Sequence, residues 1–457
     1  MTKGHVPTPP ELAKRVVAAV FDQHPPRADD RVLYPGCGTG PFAAAVERVC
    51  DEMGLPLPEG VGVDTDPELI DEVEQRDLTH TEFHQRDFLD RGTLSNQSFD
   101  YILGNPPYVP IERLSSEEKD RYRSQFQTAT GRFDLYLLFF ERAVQLLSGG
   151  GVLSFVTPEK FEYVGAAEAL RQLLTTEGQT VETIRHIEQD AFGELITFPA
   201  VTTVRRASSE SEPETRIELR DGTTHSVVLP DNGESWASTV RGANLGGMET
   251  GVTLSDVTER ISPGLATGAD SVYVLQREEV PEQVDEQWRR PTVGGSQLPA
   301  FRPTETEKLF VCPYDSSGNL ATESELGTTA TWLSEYSASL ESRSCVEKGK
   351  RWYAWHETPP MDDVLQPKIL FRDIAKEPVF YSEPTGEVVP KHSVYYAVPE
   401  QNVSMADLLD YLNSPQVRAW LEANCQRAHN GYYRLQSRVL SELPVPTELA
   451  STYQATL

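Results

Sequence analysis

Residues 31–42, RVLYPGCGTGPF, decide the fold. An apolar run stops at Pro35, the glycines Gly36, Gly38 and Gly40 follow, and Pro41 opens PFAAAVERVC, whose apolar positions have the 3.6-residue spacing of a helix face. A strand that turns through glycines into a helix is the first unit of a parallel α/β sheet. Glycine there lets the backbone approach a bound cofactor closely and leaves the first helix amides free to face it. Many α/β proteins use such a turn, so the stretch fixes an architecture before it fixes a ligand.

The pattern continues on both sides. Upstream, ELAKRVVAAVFDQ (11–23) is spaced as a helix. Downstream, GVGVDTDPELIDEV (60–73) is a strand followed by a helix whose first turn carries Asp66, Pro67 and Glu68, residues favoured at a helix start. Next come the strand FDYILGN (99–105), the helix RFDLYLLFFERAVQLL (132–147), the turn SGGG (148–151) and the strand VLSFVTP (152–158). This alternation predicts a mostly parallel, doubly wound sheet running to about residue 205. Residues 206–245 lose the rhythm, and TRIELRDG and HSVVLPDNG read as sheet-edge strands or a linker. The expected division is 1–245, linker included, and 246–457, the latter mixing short strands, Pro- and Gly-rich loops and late helices in SMADLLDYLNSPQVRAWLEANCQR (404–427).

Forty-one basic residues, ten of them lysines, stand against seventy acidic ones, a net charge of −29. Self-repulsion on that scale is tolerable where salt screens charges over a few ångström, so the composition reads as halophilic. The five cysteines form no CxxC pair, which points away from a zinc site or a disulfide framework and towards a reducing compartment. No apolar run reaches the roughly 18 residues of a membrane span, and MTKGHVPTPPELAKRVV lacks a signal-peptide core; the expected location is the cytoplasm.

Three further features follow the glycine turn in order. In VGVDTDP (61–67) Asp64 ends the strand, about twenty positions beyond the glycines, where an acid hydrogen-bonds a ribose diol. FHQRDFLD (83–90) supplies Asp87, an acceptor for an adenine amino group, and Phe88, a surface for the ring. DYILGNPPYVP (100–110) then runs a strand into Asn105, Pro106, Pro107 and Tyr108.

In this order, GCGTG, an acid, DF and NPPY resemble the class I methyltransferases that use S-adenosylmethionine. TPPELAKRVV (8–17) is similar to the methionine-binding segment of the TaqI-type, or gamma-class, N(6)-adenine DNA methyltransferases of restriction-modification systems, and with the composition points to a haloarchaeal member. The resemblance implies a Rossmann-like methyltransferase domain followed by a C-terminal α+β target-recognition domain, with Thr8, Pro9, Gly36, Cys37, Gly38, Gly40, Asp64, Asp87 and Phe88 holding the cofactor. It further implies methylation of an adenine flipped out of duplex DNA. Asn105 through its side-chain oxygen and Pro106 through its carbonyl would accept from the amino group, and Tyr108 would stack on the base. Fixed proline φ angles stiffen such a turn, and the missing N–H removes a competing donor. QDAFGELITFPAVTTV (189–204) resembles the stretch carrying a second stacking aromatic, for which Phe192 is preferred to Phe198. One position departs from the family: Tyr34 stands where an acid usually contacts the methionine part of the cofactor.

In the second region, VEKGKRWYAWHE (346–357) and AHNGYYRLQSR (428–438) cluster cations with aromatics and resemble recognition-domain stretches, as do PGLATGADSVYVL (263–275), KILFRDIAKEP (368–378) and LSELPVP (440–446). The expected DNA contacts are Lys350, Arg351, Trp352, Tyr432 and Arg434, within a group that also holds Lys348, Tyr353, Trp355, His429, Asn430, Tyr433 and Arg438. His84 and His186 read as structural. No nuclease segment precedes the motifs, so a restriction endonuclease would be separately encoded, and a monomer is expected. Two alternatives stay open: an RNA or protein-glutamine methyltransferase using the same turn, and a catalytically silent DNA-binding subunit.

Overall fold

The computed structural model of the chain describes residues 6–176, 178–188, 198–206, 214–242, 251–428 and 431–449. Two compact units follow one another, Met1–Ala243 and Asn244–Leu457.

The first unit is built on nine strands: β1 (Arg31–Pro35), β2 (Glu59–Asp64), β3 (Thr81–Gln85), β4 (Phe99–Gly104), β5 (Leu147–Pro158), β6 (Gln179–His186), β7 (Pro199–Arg206), β8 (Glu214–Glu218) and β9 (Thr224–Val228). Their order is β3-β2-β1-β4-β5-β7-β6-β8-β9. Strands β1 to β5 pair in parallel, and β7, antiparallel to both neighbours, is inserted between β5 and β6. The longer helices are α1 (Pro10–Gln23), α2 (Pro41–Met53), α3 (Pro67–Glu74), α4 (Ser116–Gln125), α5 (Leu135–Leu146) and α6 (Glu168–Leu174). Prolines open α1, α2 and α3 where a missing N–H costs nothing, and Ser115 and Glu118 close a reciprocal capping box on α4.

Strand alternation divides the side chains between two layers. Leu33, Ile102 and Leu153 join the aromatic layer of α5, whereas Val32, Tyr34, Leu103 and Val152 join the layer of α1 and α2. Helix α5 is buried on nearly every face, and Phe140 packs edge-on against Phe155 at 5.1 Å. Each such phenylalanine contributes about 1.5–3 kcal/mol by leaving water. Of the two charged residues of α5, Glu141 accepts from the Thr128 amide and hydroxyl, both at 2.9 Å, and Arg142 donates to the Thr93 carbonyl at 2.9 Å while its Nε is buried without a partner among the described residues.

Three local expectations are refined. SGGG is no separate turn but an irregularity within β5, where Phe99 pairs with Leu147 and Tyr101 already with Val152. Helix α5 starts at Leu135 rather than Arg132, because the preceding residues pair with the stretch after the proline turn: Ile111 donates to the Phe133 carbonyl and Leu135 to that of Val109. TRIELRDG and HSVVLPDNG form β8 and β9 at the sheet edge, and so are strands rather than linker.

The second unit holds β10 (Thr258–Pro263), β11 (Val274–Gln276), β12 (Arg289–Val293), β13 (Lys308–Val311), β14 (Lys368–Arg372), β15 (Ile374–Ala375), β16 (Phe380–Glu383), β17 (Val389–Pro390), β18 (Val394–Pro399), β19 (Gln426–Ala428) and β20 (Tyr432–Arg434). They form sheets β10-β18-β14-β16, β11-β13-β12-β17 and β15-β20-β19. The late helices are Met405–Leu412 and Pro415–Asn424, whose Leu408, Leu412, Val417 and Leu421 pack with Ile369 and Phe371 of β14. Inside this unit Lys368 and Glu383, both with fully buried side chains, pair at 2.6 Å.

Candidate active site

Parallel strands β1, β2, β3 and β4 end on the same edge of the sheet, so the segments that follow them converge there. They enclose a cavity of about 360 Å³ whose wall includes Gly36, Asp64, Asp87, Phe88 and Asn105.

Four amides of the glycine turn are engaged within the protein, and the reason is local geometry. Gly36 and Cys37 both donate to the Val63 carbonyl, at 2.8 and 3.0 Å, and Gly40 donates to the Cys37 carbonyl at 2.9 Å. Gly38 donates to Asp64 Oδ2 at 2.9 Å. The turn is thus stitched to the end of β2. Gly40 has φ +77°, and a Cβ there would lie 2.5 Å from Val73 Cγ2, so this glycine lets the start of α2 pack on α3. Cys37, Gly38 and Gly40 shape the turn, and of the glycines Gly36 alone reaches the cavity wall. The Cys37 thiol is 7 % exposed, and burial raises its pKa, which keeps it protonated.

Asp64 also accepts from the Asp66 amide at 3.0 Å. One carboxylate therefore braces both its own helix start and the glycine turn while still lining the cavity. Asp87 accepts from the Leu89 amide at 2.9 Å and pairs with Arg121 at 3.3 Å. Phe88, 2 % exposed, leans on Phe139 at 5.0 Å and gives the cavity an aromatic wall.

The proline turn carries the most specific geometry. Asn105 Nδ2 donates to the Val6 carbonyl at 3.1 Å and to Thr8 Oγ1 at 3.0 Å. A carbonyl only accepts, so this contact fixes which way the amide faces. Asn105 Oδ1 then receives the Tyr108 hydroxyl at 2.7 Å, and that hydroxyl also lies 3.2 Å from the Val156 carbonyl. Burial raises the Tyr108 pKa, so the group remains a donor. The ring of Tyr108 meets Tyr136 edge-on at 6.2 Å. Pro106 is buried, and its carbonyl accepts no hydrogen bond among the described residues. Thr8 is thus placed on the Asn105 amide, and Pro9 accepts from Leu12 and Ala13 to cap α1.

Tyr34, 3 % exposed, points away from the cavity into the layer of α1 and α2. It fits over Gly60, where a Cβ would come within 3.0 Å of its ring. His186 sits 2.8 Å from Glu162 and 3.8 Å from Glu159, in a buried cluster that Arg220 joins through Glu159. Among the described residues no group of three or more His, Cys, Asp or Glu side chains could hold a metal, and no helix is long and apolar enough to cross a membrane.

In the second unit the cation-aromatic stretch 346–357 largely faces inward. Lys350 donates to the His356 carbonyl at 3.0 Å and the Thr358 hydroxyl at 3.1 Å, Trp352 Nε1 donates to Glu323 at 3.2 Å, and Tyr353 and Trp355 are core residues. Arg351 stays exposed. Tyr432, 38 % exposed, and Arg434 lie outward on β20. Phe192, His429 and Asn430 lie outside the described residues.

Sequence reading missed Val6, Arg86, Glu118, Arg121 and Tyr122, all on the cavity wall. The capping box at Ser115 marks where α4 begins, but nothing in the sequence pairs Arg121 with Asp87 across 34 positions.

The sheet order, the inserted antiparallel strand and the cavity at the strand ends define a class I methyltransferase domain with a C-terminal domain. The Eco57I restriction-modification methylase family matches residues 62–192, and the TaqI-like C-terminal specificity domain matches residues 322–445. These matches, with the type II methyltransferases among its relatives, make the chain similar to the TaqI-like restriction-modification methyltransferases. It is 24 % identical to the type II methyltransferase M.PaeR7I of Pseudomonas aeruginosa over 94 % of this chain and 83 % of that one. Against M.XhoI of Xanthomonas vasicola the identity is 24 %, over 76 % and 68 %. Among solved structures, the type IIL restriction-modification enzyme MmeI in complex with DNA superposes with a TM-score of 0.59, at 13 % identity, over 95 % of this chain and 64 % of that one.

Proposed function

We propose that this chain transfers the methyl group of S-adenosylmethionine to the exocyclic amino nitrogen of an adenine turned out of duplex DNA. The observation that carries the reading is the polarised proline turn: Asn105 on the cavity wall with its amide hydrogens held elsewhere, and next to it the Pro106 carbonyl, which accepts no hydrogen bond among the described residues. The relatives named above are type II methyltransferases, and MmeI was solved with DNA.

The donor set of the cavity suits the cofactor. Asp64 offers acceptors at the end of β2 for a ribose diol, Asp87 and Phe88 offer an acceptor and a wall for the adenine ring, and Gly36 keeps the floor low. When bound, S-adenosylmethionine supplies an electrophilic methyl group on sulfur. The rest is the work of this chain. An adenine amino nitrogen is a poor nucleophile because its lone pair is delocalised into the ring. Two acceptors aimed at its two hydrogens favour the tetrahedral form in which that pair is localised, and because they are held before the substrate arrives they require no reorganisation. Asn105 Oδ1 has two lone pairs; Tyr108 engages one and leaves one for the amino group. Tyr108, half-buried and next in sequence to Pro107 and Val109 of the cavity wall, is the residue proposed to stack on the base, and unstacking the base costs a few kcal/mol.

One assay tests the reading. Labelled S-adenosylmethionine is offered with duplex DNA, RNA and protein in a potassium chloride series. Label on adenine in DNA alone is expected; label on RNA or protein, or no label, would overturn it. Thr8→Val tests the amide clamp. Loss of one hydrogen bond, about 1 kcal/mol, lowers turnover roughly fivefold while the KM for S-adenosylmethionine moves less, and Thr8→Ser restores the rate. A Thr8→Val enzyme with unchanged turnover would remove the clamp from the mechanism.

A further inference from the structure

The second unit contains a separate cavity of about 370 Å³. The loop after β12, the start of β13, the end of β14 and the turn between β17 and β18 meet there and bring Lys308, Arg372 and Lys391 to one wall. The loop is held in shape: Gly294 donates to Gln297 Oε1 and Gly295 to Ser393 Oγ, both at 3.1 Å.

Lys391 pairs with Asp270 at 2.7 Å, and Asp373, also on the wall, faces Arg434 at 3.5 Å. Glu307, adjacent to Lys308, accepts from Gln297 at 3.3 Å. Lys308 and Arg372 have no carboxylate partner among the described residues, and Arg372 Nε is buried without any hydrogen-bond acceptor. Lys308 and Arg372 thus bring to this cavity two cations that no carboxylate of the described residues neutralises. A buried guanidinium N–H without an acceptor is costly unless an anion arrives from outside.

Ile374 is the single apolar side chain on the wall, so the cavity suits a compact charge better than a ring. Ile374 itself is 45 % exposed and sits on β15 opposite Arg434, beside exposed Tyr432 on β20. A cationic cavity continuous with an exposed aromatic and arginine strand matches a polyanion with adjoining bases. We infer that Lys308 and Arg372 clamp a backbone phosphate of the bound duplex, an assignment that rests on the DNA reading above.

The test uses the full chain and the duplex that it methylates. Binding is measured across a potassium chloride series for the wild type, Lys308→Gln and Arg372→Gln, with Lys308→Glu as the second variant should Arg372→Gln fail to fold. Each glutamine variant should bind less tightly and show a log K against log salt slope shallower by about 0.9, the counterion contribution of one phosphate contact. Duplexes carrying one neutral methylphosphonate at successive positions locate the contact: one position weakens the wild type and leaves Lys308→Gln unaffected. Unchanged slopes and equal methylphosphonate sensitivity, in a wild type that methylates DNA, overturn the clamp alone. A wild type that neither binds nor methylates DNA overturns the reading beneath it as well.

Discussion

Asn105→Ala is expected to lower methyl transfer by about two to three orders of magnitude, the cost of removing one preorganised polar group that acts in the transition state. The loss should fall on turnover, with S-adenosylmethionine affinity changing far less, because Asp64, Asp87 and Phe88 remain on the cavity wall. Single-turnover kinetics with equilibrium binding on the same protein separates the two. Asn105→Asp sharpens the argument. It keeps an acceptor oxygen, but it loses the two N–H donors and sets a carboxylate against the Val6 carbonyl, which Asn105 Nδ2 now meets at 3.1 Å. The aspartate should turn away and recover only part of the rate. An alanine variant within tenfold of the wild type would remove Asn105 from the chemistry.

Glu383→Gln should destabilise the second unit by about 3–5 kcal/mol, because it leaves the Lys368 ammonium buried without a counter-charge. Both side chains are fully buried, and Glu383 also accepts from the Thr385 amide at 3.0 Å and the Gly386 amide at 3.1 Å, so the change loosens a turn as well as a pair. Burial lowers the Lys368 pKa even beside Glu383, which means that the attraction does not repay the loss of water. Replacing both at once, Lys368→Met with Glu383→Leu, should therefore be far milder than the single change. Denaturant unfolding of the three variants decides it; a glutamine variant as stable as the wild type would show that the pair carries no such strain.

The fold was legible because its signals are periodic. Strands ending at Pro35, Asp64 and Gly104 are separated by helical spacing, and parallel strands must end on one edge, so Gly36, Asp64, Asp87 and Asn105 had to meet. What sequence could not supply was direction within the tertiary structure. Two amides of the glycine turn, those of Gly36 and Cys37, are engaged by a carbonyl of β2, and backbone pairing of that kind leaves no trace in residue types. Tyr34 and Trp355 look as available in a string of letters as Tyr432, yet the first two are enclosed and the third is not. Lys350 was grouped with cations that would meet DNA, whereas three local acceptors hold it. The fully buried Lys368 and Glu383 are fifteen residues apart on different strands, and only the pairing of β14 with β16 joins them.

The clamp on Asn105 has a practical side. Its two anchors, Val6 and Thr8, lie 99 and 97 residues upstream, ahead of the first helix. A change that displaces Val6 and Thr8 would leave every described strand and helix intact and yield a well-folded protein with a misdirected amide. Preparations of such a variant are better judged by turnover than by yield or melting temperature.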